Sequence, residues 1–250
     1  VVTANKAMLA FHGTALATLA EDNGCTIGFE AAVAGGIPIV KAMREGLAGN
    51  RIERVYGILN GTCNYILSTM EETGRSFADV LAEAQAEGYA EADPAFDIGG
   101  IDAAHKLSLL ASLAFGTEVD FGAVSVEGIE RIEAGDIAYA REFGYRIKLV
   151  GAAQQTSHGI EQRVHPCLVP QSSVSGGVGG VFNAVIVEGD AVGQANFVGR
   201  GAGDGPTASA VAADIIDLAK GLRQPVFSVP AKSLKPSNPS PMSDHEGAYY

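Results

Sequence analysis

The sequence predicts an α+β fold, with most of its helices in the first half and a mostly antiparallel sheet in the second. Three observations carry that reading. Apolar residues recur at helical spacing through much of the stretch from Ala7 to Leu113. Beyond Gly116 the texture turns to strand-like segments at 145–154, 160–169, 184–188 and 192–198. Glu188-Gly189-Asp190 separates the last two segments as a hairpin turn would.

Taken in order, Met8, Phe11, Ala15 and Leu19 share one face of a helix expected over 7–22, which Asn23-Gly24 stops. Residues 26–33 read as β-like and mostly apolar. Gly35-Gly36 breaks that pattern, and Pro38 suits the opening of a helix to about Leu47. Residues 52–59 alternate as a strand does. Helices are expected at about 62–72 and 77–87, with Ser76 as N-cap of the second and Asp79 in its first turn. A loop over 91–96 leads to a long helix at about 100–113. A Gly-rich loop, 199–205, runs into a last helix over 207–222. Residues 224–243 are rich in Pro and Ser, as a linker is, and 245–250 read as the first strand of a further domain.

A chain of 250 residues with 47% hydrophobic content can bury a core in one large domain or two unequal ones. Its net charge of -12, from 29 acidic and 17 basic side chains, repels nucleic acid and acidic membrane surfaces. No apolar run reaches the length of a membrane span. The opening Val1-Val2-Thr3-Ala4-Asn5-Lys6 lacks the basic-then-apolar pattern of a signal peptide and reads as a strand end entering a helix, so the chain is expected to begin inside a domain. Cys25, Cys63 and Cys167 lie far apart with no metal-ligand spacing, and are expected to be small buried hydrophobes in a reducing cytoplasm.

The stretch richest in chemistry is EGYAEADPAFDIGGIDAAHK, 87–106. Glu91, Asp93, Asp97 and Asp102 precede a single cation, Lys106. Asp102 and Lys106 are four apart and share a helix face. Spacing alone allows an ordinary exposed salt bridge, worth about 0.3–0.5 kcal/mol. Against that, several of the acids sit in a Gly/Pro-bracketed loop, and the lysine's face continues into Leu107, Leu110 and Leu113. His105 points another way on the helix and reads as structural. Lys6 lies at a helix start, where the dipole disfavours a cation, so the residue is expected there for an anion to bind. Glu30 is the one acid in an apolar segment and is either a buried carboxylate with a basic partner or part of an ion site. The loop 199–205 is a flexible turn or a phosphate cradle; it is not the G-x-G-x-x-G fingerprint, which occurs nowhere in the chain.

The same stretch resembles the signature of the homoserine dehydrogenase family at Ala86, Gly88, Tyr89, Asp93, Pro94, Asp97, Gly99, Asp102 and Lys106. VVTANK at the start, GFEAAVAGGIPI at 28–39, ILNGTCNYIL at 58–67 and GRGAGDGPTA at 199–208 resemble further family blocks in the family's order. The resemblance covers residues 1 to 222. It implies NADP- or NAD-dependent interconversion of L-homoserine and L-aspartate 4-semialdehyde, in threonine, methionine and isoleucine biosynthesis. It implies Lys106 as general acid and base, with Glu91 and Asp102, and less directly Asp97, binding the substrate. An adjacent Asp102 is expected to keep the lysine protonated. Lys6, Gly88 and Gly203 would contact the cofactor. Glu30 with the carbonyls of Val33, Gly35 and Ile37 would cage a monovalent cation, Na⁺ or K⁺.

On this resemblance, 1–28 is the end of a Rossmann nucleotide-binding domain, 29–198 the catalytic and dimerisation domain, 199–222 the return to the nucleotide domain, and 223–250 a linker and the start of an ACT-type domain. The missing fingerprint fits a chain that begins within the nucleotide domain. A homodimer or higher homo-oligomer is implied, with no nucleic-acid or membrane partner. Two other functions fit the residues: a dimerising module that holds a cation or amino acid without catalysis, and a reductase of a related semialdehyde.

Overall fold

The structure is a computed structural model describing residues 1–241 and 245. The strand expected at 245–250 falls, but for His245, outside the described residues. One six-stranded sheet organises the fold: β1 (Ile52–Ile58), β2 (Ser125–Val126), β3 (Tyr145–Thr156), β4 (Gly159–Pro170), β5 (Phe182–Gly189) and β6 (Gly193–Arg200), in the order β2-β4-β3-β1-β5-β6. Every pairing is antiparallel except that of β2 with β4. The mixed helix-and-sheet architecture is the one the sequence predicts, and β5 turns into β6 through 190–192 as expected. Gly57 lets β5 approach β1: a Cβ there would stand 1.9 Å from the Ala184 carbonyl oxygen.

The helices are α1 (Lys6–Asp22), α2 (Ile39–Lys41), α3 (Gly61–Thr73), α4 (Phe77–Ala86), α5 (Ala95–Ile98), α6 (Ile101–Phe115), α7 (Ala134–Glu142), α8 (Val174–Gly177) and α9 (Asp204–Ala219). α6 lies between Gly100 and Gly116, both at positive φ, and is buried from Asp102 through Leu113. A helix apolar on most of its circumference belongs inside; α6 packs on β1, β3 and β4 on one side and on α1 on another. Leu107, Leu109 and Leu110 join Val55, Ala153, Val164 and Val185 in one core. α4 starts where Ser76 accepts from the Asp79 N–H, the cap the sequence predicts.

Residues 26–33 depart from expectation. Gly28 forms only an isolated parallel bridge with Val2, and Glu30–Ala32 is a 3₁₀ turn. The reason is side-chain competition for the backbone: the Asp214 carboxylate accepts from the Glu30 N–H at 2.9 Å, where a ladder bond would otherwise form. The helix expected after Pro38 is the short α2 running into a π turn, Ala42–Gly46. α7 and β2 were not expected: α7 has few apolar residues, and its start is marked by Asp136, which accepts from the Glu133 N–H at 2.9 Å. All three cysteines are free thiols, but only Cys63 is fully buried; Cys25 is exposed beside the Gly24 turn, against expectation. Among the described residues no helix is long and apolar enough to cross a membrane.

Candidate active site

The site is built where β1 ends and α3 begins. Asn60, still extended, caps α3 by accepting from the Cys63 N–H at 2.8 Å. That leaves its amide nitrogen facing the start of α6. Asn60 Nδ2 donates to Asp97 Oδ1 and to Asp102 Oδ2, each at 2.8 Å. The preceding residue, Leu59, turns its carbonyl to Lys106, whose Nζ donates to it at 2.8 Å and to Asp102 Oδ2 at 2.7 Å. Lys106 is only 7% exposed, so its pair with Asp102 is a buried one and not the solvated bridge that spacing allows. Lys6, on the first turn of α1, meets the other carboxylate oxygen of Asp102 at 3.1 Å, and its Nζ lies 5.7 Å from the centre of the Phe96 ring. Lys6 is thus paired with a side chain of the protein itself.

The two carboxylates titrate differently. Burial by itself would raise Asp102, but the attraction of Lys106 and then Lys6 outweighs it and holds the pKa at about 2. Asp97 is raised by burial, with the nearby Asp102 charge adding to the shift and the Asn60 bond opposing it. Asp97 also faces the Thr62 hydroxyl at 3.4 Å. The Cys63 thiol, buried beneath these acids, is pushed well above its ordinary value by burial and is inert.

These groups open onto a cleft of about 600 Å³. Lys6, Asp97, Asp102 and Lys106 line it, as do Gly88 and Gly203. The residues expected for catalysis, substrate and cofactor therefore converge, with one exception: Glu91 is exposed and does not line the cleft, and its backbone carbonyl accepts from Gln85 Nε2 at 3.0 Å. His105 is structural as expected, its ring set edge-on against Phe11, Phe96 and Phe121 at 5.5, 5.4 and 4.5 Å. Asn60 was not singled out. Its signal, an N-cap Asn before Gly61, was present, but that signal indicates a helix start and not a bridge between acids.

The loop expected to cage a cation runs along the same cleft. Gly35 N–H donates to the Gly201 carbonyl and Gly36 N–H to the Arg200 carbonyl, each at 2.9 Å, stitching 33–37 to the Gly-rich loop. Ala34 holds φ +47, unusual for a residue with a Cβ. Glu30 is 3% exposed, yet its carboxylate accepts from the Val40 N–H at 2.8 Å and the Lys41 N–H at 3.0 Å. Among the described residues the buried carboxylate thus has no Lys or Arg in contact, against one of the two readings of the sequence, and takes its hydrogen bonds from the backbone of α2. Burial still raises its pKa, against those two hydrogen bonds. The Ile37 carbonyl accepts from the Ile39 N–H at 2.7 Å, whereas those of Val33 and Gly35 accept no hydrogen bond among the described residues.

Comparison with known proteins places the chain in a family. The family model for homoserine dehydrogenase matches residues 38–216. A homoserine dehydrogenase of Pseudomonas aeruginosa is 52% identical over the whole of this chain, and one of Helicobacter pylori is 53% identical over 88% of it. The chain spans 59% and 52% of the length of those relatives. A solved homoserine dehydrogenase from Thiobacillus denitrificans superposes with a TM-score of 0.90 at 52% identity, covering 94% of this chain and 56% of that one. A hyperthermophilic archaeal homoserine dehydrogenase in complex with NADPH superposes at 0.77 and 30% identity, covering 90% of this chain and 65% of that one. With the family match extending across the sheet, the buried lysine and the wall of the cleft, the chain belongs to the homoserine dehydrogenase family.

Proposed function

We propose that the whole protein interconverts L-homoserine and L-aspartate 4-semialdehyde with NADP or NAD, a step toward threonine, methionine and isoleucine, in the cytoplasm. One observation carries the chemical assignment. An ammonium has three N–H donors; Lys106 gives two, to Leu59 and Asp102, and the residue lines the cleft, which leaves one donor for a ligand there. That proton goes to the aldehyde oxygen in the reducing direction, and Lys106 takes it back from the hydroxyl in the other. Asp102, bonded to Lys6, Lys106 and Asn60, holds both lysines in place and keeps their charge near the reacting oxygen. Because its oxygens are engaged in this way, the substrate's α-ammonium falls chiefly to Asp97, with Glu91 approaching from the adjoining loop.

The cleft suits a dinucleotide. α9 begins at Gly203, with φ +111 and no side-chain cap, so its first N–H groups are free to meet an anion. Gly88, at φ +78, has no atom within 4 Å of where a Cβ would stand, leaving the backbone open to a flat ligand. When bound, the dinucleotide supplies or accepts the hydride. The parallel bridge of Val2 to Gly28, with α1 between them, supports the reading of 1–28 as part of a nucleotide-binding unit. The Val33 and Gly35 carbonyls support a Na⁺ or K⁺ site beside Ile37, with Glu30 contributing charge from behind and not as a direct ligand. That role would be structural, fixing the junction of the cofactor and substrate regions.

Kinetics on the whole protein test the reading. Homoserine oxidation is expected with at least one of the two cofactors, and Glu91→Gln should raise the Michaelis constant for homoserine by roughly ten-fold, the worth of one hydrogen bond to a charged group. An unchanged constant with the fold intact would assign Glu91 to the surface. Turnover of another amino-acid semialdehyde in place of this one would move the protein to the related reductase. A homodimer formed through the sheet is part of the same reading: β6 is an edge strand and leaves Val198 52% exposed. Light scattering at micromolar concentration should show at least two chains per particle, and a clean monomer would count against it.

A further inference from the structure

α3 carries a row of buried polar side chains at intervals of four: Asn60 at its cap, then Asn64, then Ser68. Asn60 belongs to the site already described. The other two meet Lys148, which projects from the middle of β3 and is 2% exposed. Lys148 Nζ donates to Asn64 Oδ1 at 2.8 Å, to Ser68 Oγ at 3.0 Å and to the Val178 carbonyl at 2.8 Å. All its donors are used, and all its partners are neutral. Burial lowers its pKa to about 8, with Glu71 and Glu72 opposing the shift and Arg146 adding to it. A buried ammonium bonded only to neutral groups is costly, and well-packed apolar residues would do as well for packing alone.

The gain lies in what the ammonium does to Asn64. A primary amide has an acceptor end and a donor end, and an ammonium can only donate. Lys148 therefore holds Oδ1 of Asn64 toward itself and turns Nδ2 the other way. There Nδ2 meets the carbonyls of Gly180 and Phe182 at 2.9 and 3.1 Å, and it shares with Lys148 the carbonyl of Val178, at 3.3 Å. The segment so held includes Gly177, Gly179 and Gly180; Val178 anchors it by packing with Ile58 and Ile186, and these bonds fix the backbone on either side of that anchor. It delivers Val181 into the wall of the cleft and leads into β5, whose Asn183 lines the same wall. Both then sit against backbone of the site: the Val181 carbonyl lies 2.8 Å from where a Cβ on Gly61 would stand, and Asn183 Cγ 2.1 Å from where one on Gly201 would stand.

We propose that Lys148 is a positioning residue for the cofactor side of the cleft: directly at Val178, and through the orientation it sets for the Asn64 amide, it fixes the 177–181 segment that places Val181 against α3 and leads into β5. The naming of the cofactor rests on the homoserine dehydrogenase reading above; the clamp on the loop does not.

The test uses the whole protein and Lys148→Met, which keeps the length of the stem and removes all three donors. Two measurements are made: amide hydrogen exchange, and the kinetic constants for homoserine oxidation with titration of NADP and NAD. Exchange over 177–183 is expected to accelerate about ten-fold, while α6 keeps its protection. The Michaelis constant and dissociation constant for the dinucleotide should rise about ten-fold, with kcat changed far less because Lys106 keeps its partners; ten-fold corresponds to one hydrogen bond to a charged group. Should Lys148→Met not yield folded protein, Asn64→Ser, a smaller cut in the same set of bonds, carries the same expectation. Unchanged exchange in the loop overturns the proposal. So does equal acceleration through α6, which would make the lysine a general stabiliser, and so does a fall in kcat with dinucleotide binding intact. A wild-type protein that oxidises no homoserine would sink the functional reading by itself, and exchange with dinucleotide titration would still decide the clamp.

Discussion

Replacing Lys106 by alanine should cut turnover of the whole protein by about 10²–10⁴-fold, the range a positioned general acid or base contributes. Dinucleotide binding should change much less. The reason is the division of labour in the cleft: Lys106 is bound to Leu59 and Asp102 at the α6 end, whereas the candidate dinucleotide contacts, Gly88 and Gly203, sit on other elements. Alanine also leaves Asp102 ionised with one cation, Lys6, in place of two, so some loss of stability should accompany the loss of rate. Steady-state kinetics with a separate cofactor titration resolves the two effects. Turnover within a few-fold of the natural protein would remove Lys106 from the proton-transfer role.

The second large effect is expected at Asn60. Its side chain does two jobs at once, capping α3 through Oδ1 and joining Asp97 to Asp102 through Nδ2. Losing a cap costs about 1 kcal/mol and losing a hydrogen bond to a carboxylate about 1.5–3 kcal/mol. Asn60→Ala should therefore destabilise the fold by roughly 2–4 kcal/mol, read as a lower denaturant midpoint, and should lower turnover as well. Asn60→Ser separates the jobs, because serine caps a helix but is too short to bridge the acids. If Ser and Ala lower turnover alike while Ser recovers much of the stability, the bridge serves the chemistry and the cap serves the fold. Full activity in both variants would make the bridge dispensable.

Much of this architecture is legible in the chain. The four-residue spacing of Asp102 and Lys106 places both on one face of α6, and the leucines that follow mark that face as buried. Ser76 and Asp79 announce the start of α4, and Gly189-Asp190 the last hairpin. What is not legible depends on partners distant in sequence. Residues 26–33 carry the composition of a strand, but Asp214 takes the backbone donor such a strand would need. Glu30 reads as a buried charge in want of a counter-ion, and only the folded chain shows the α2 N–H groups that supply its bonds. Asn60 reads as an ordinary cap because its second task exists only once α6 has come to lie beside it. Lys148 sits in an alternating strand, and nothing in its neighbours along the chain announces that α3 will surround its head group.

The two bonds from Gly35 and Gly36 to the loop after β6 have a consequence for how the molecule assembles. They join residues 35 and 36 to residues 201 and 200, far apart in the chain, beside the cleft. Contacts so distant in sequence carry the largest loop-closure cost, and chains that depend on them fold slowly. In the sheet β6 is joined to the rest only through β5, and β5 through β1. The cleft is therefore expected to form late in folding, after the Asp102–Lys106 pair within its one helix, and pulse-labelled amide exchange during refolding should show protection of Gly35 and Gly36 lagging behind that of α6.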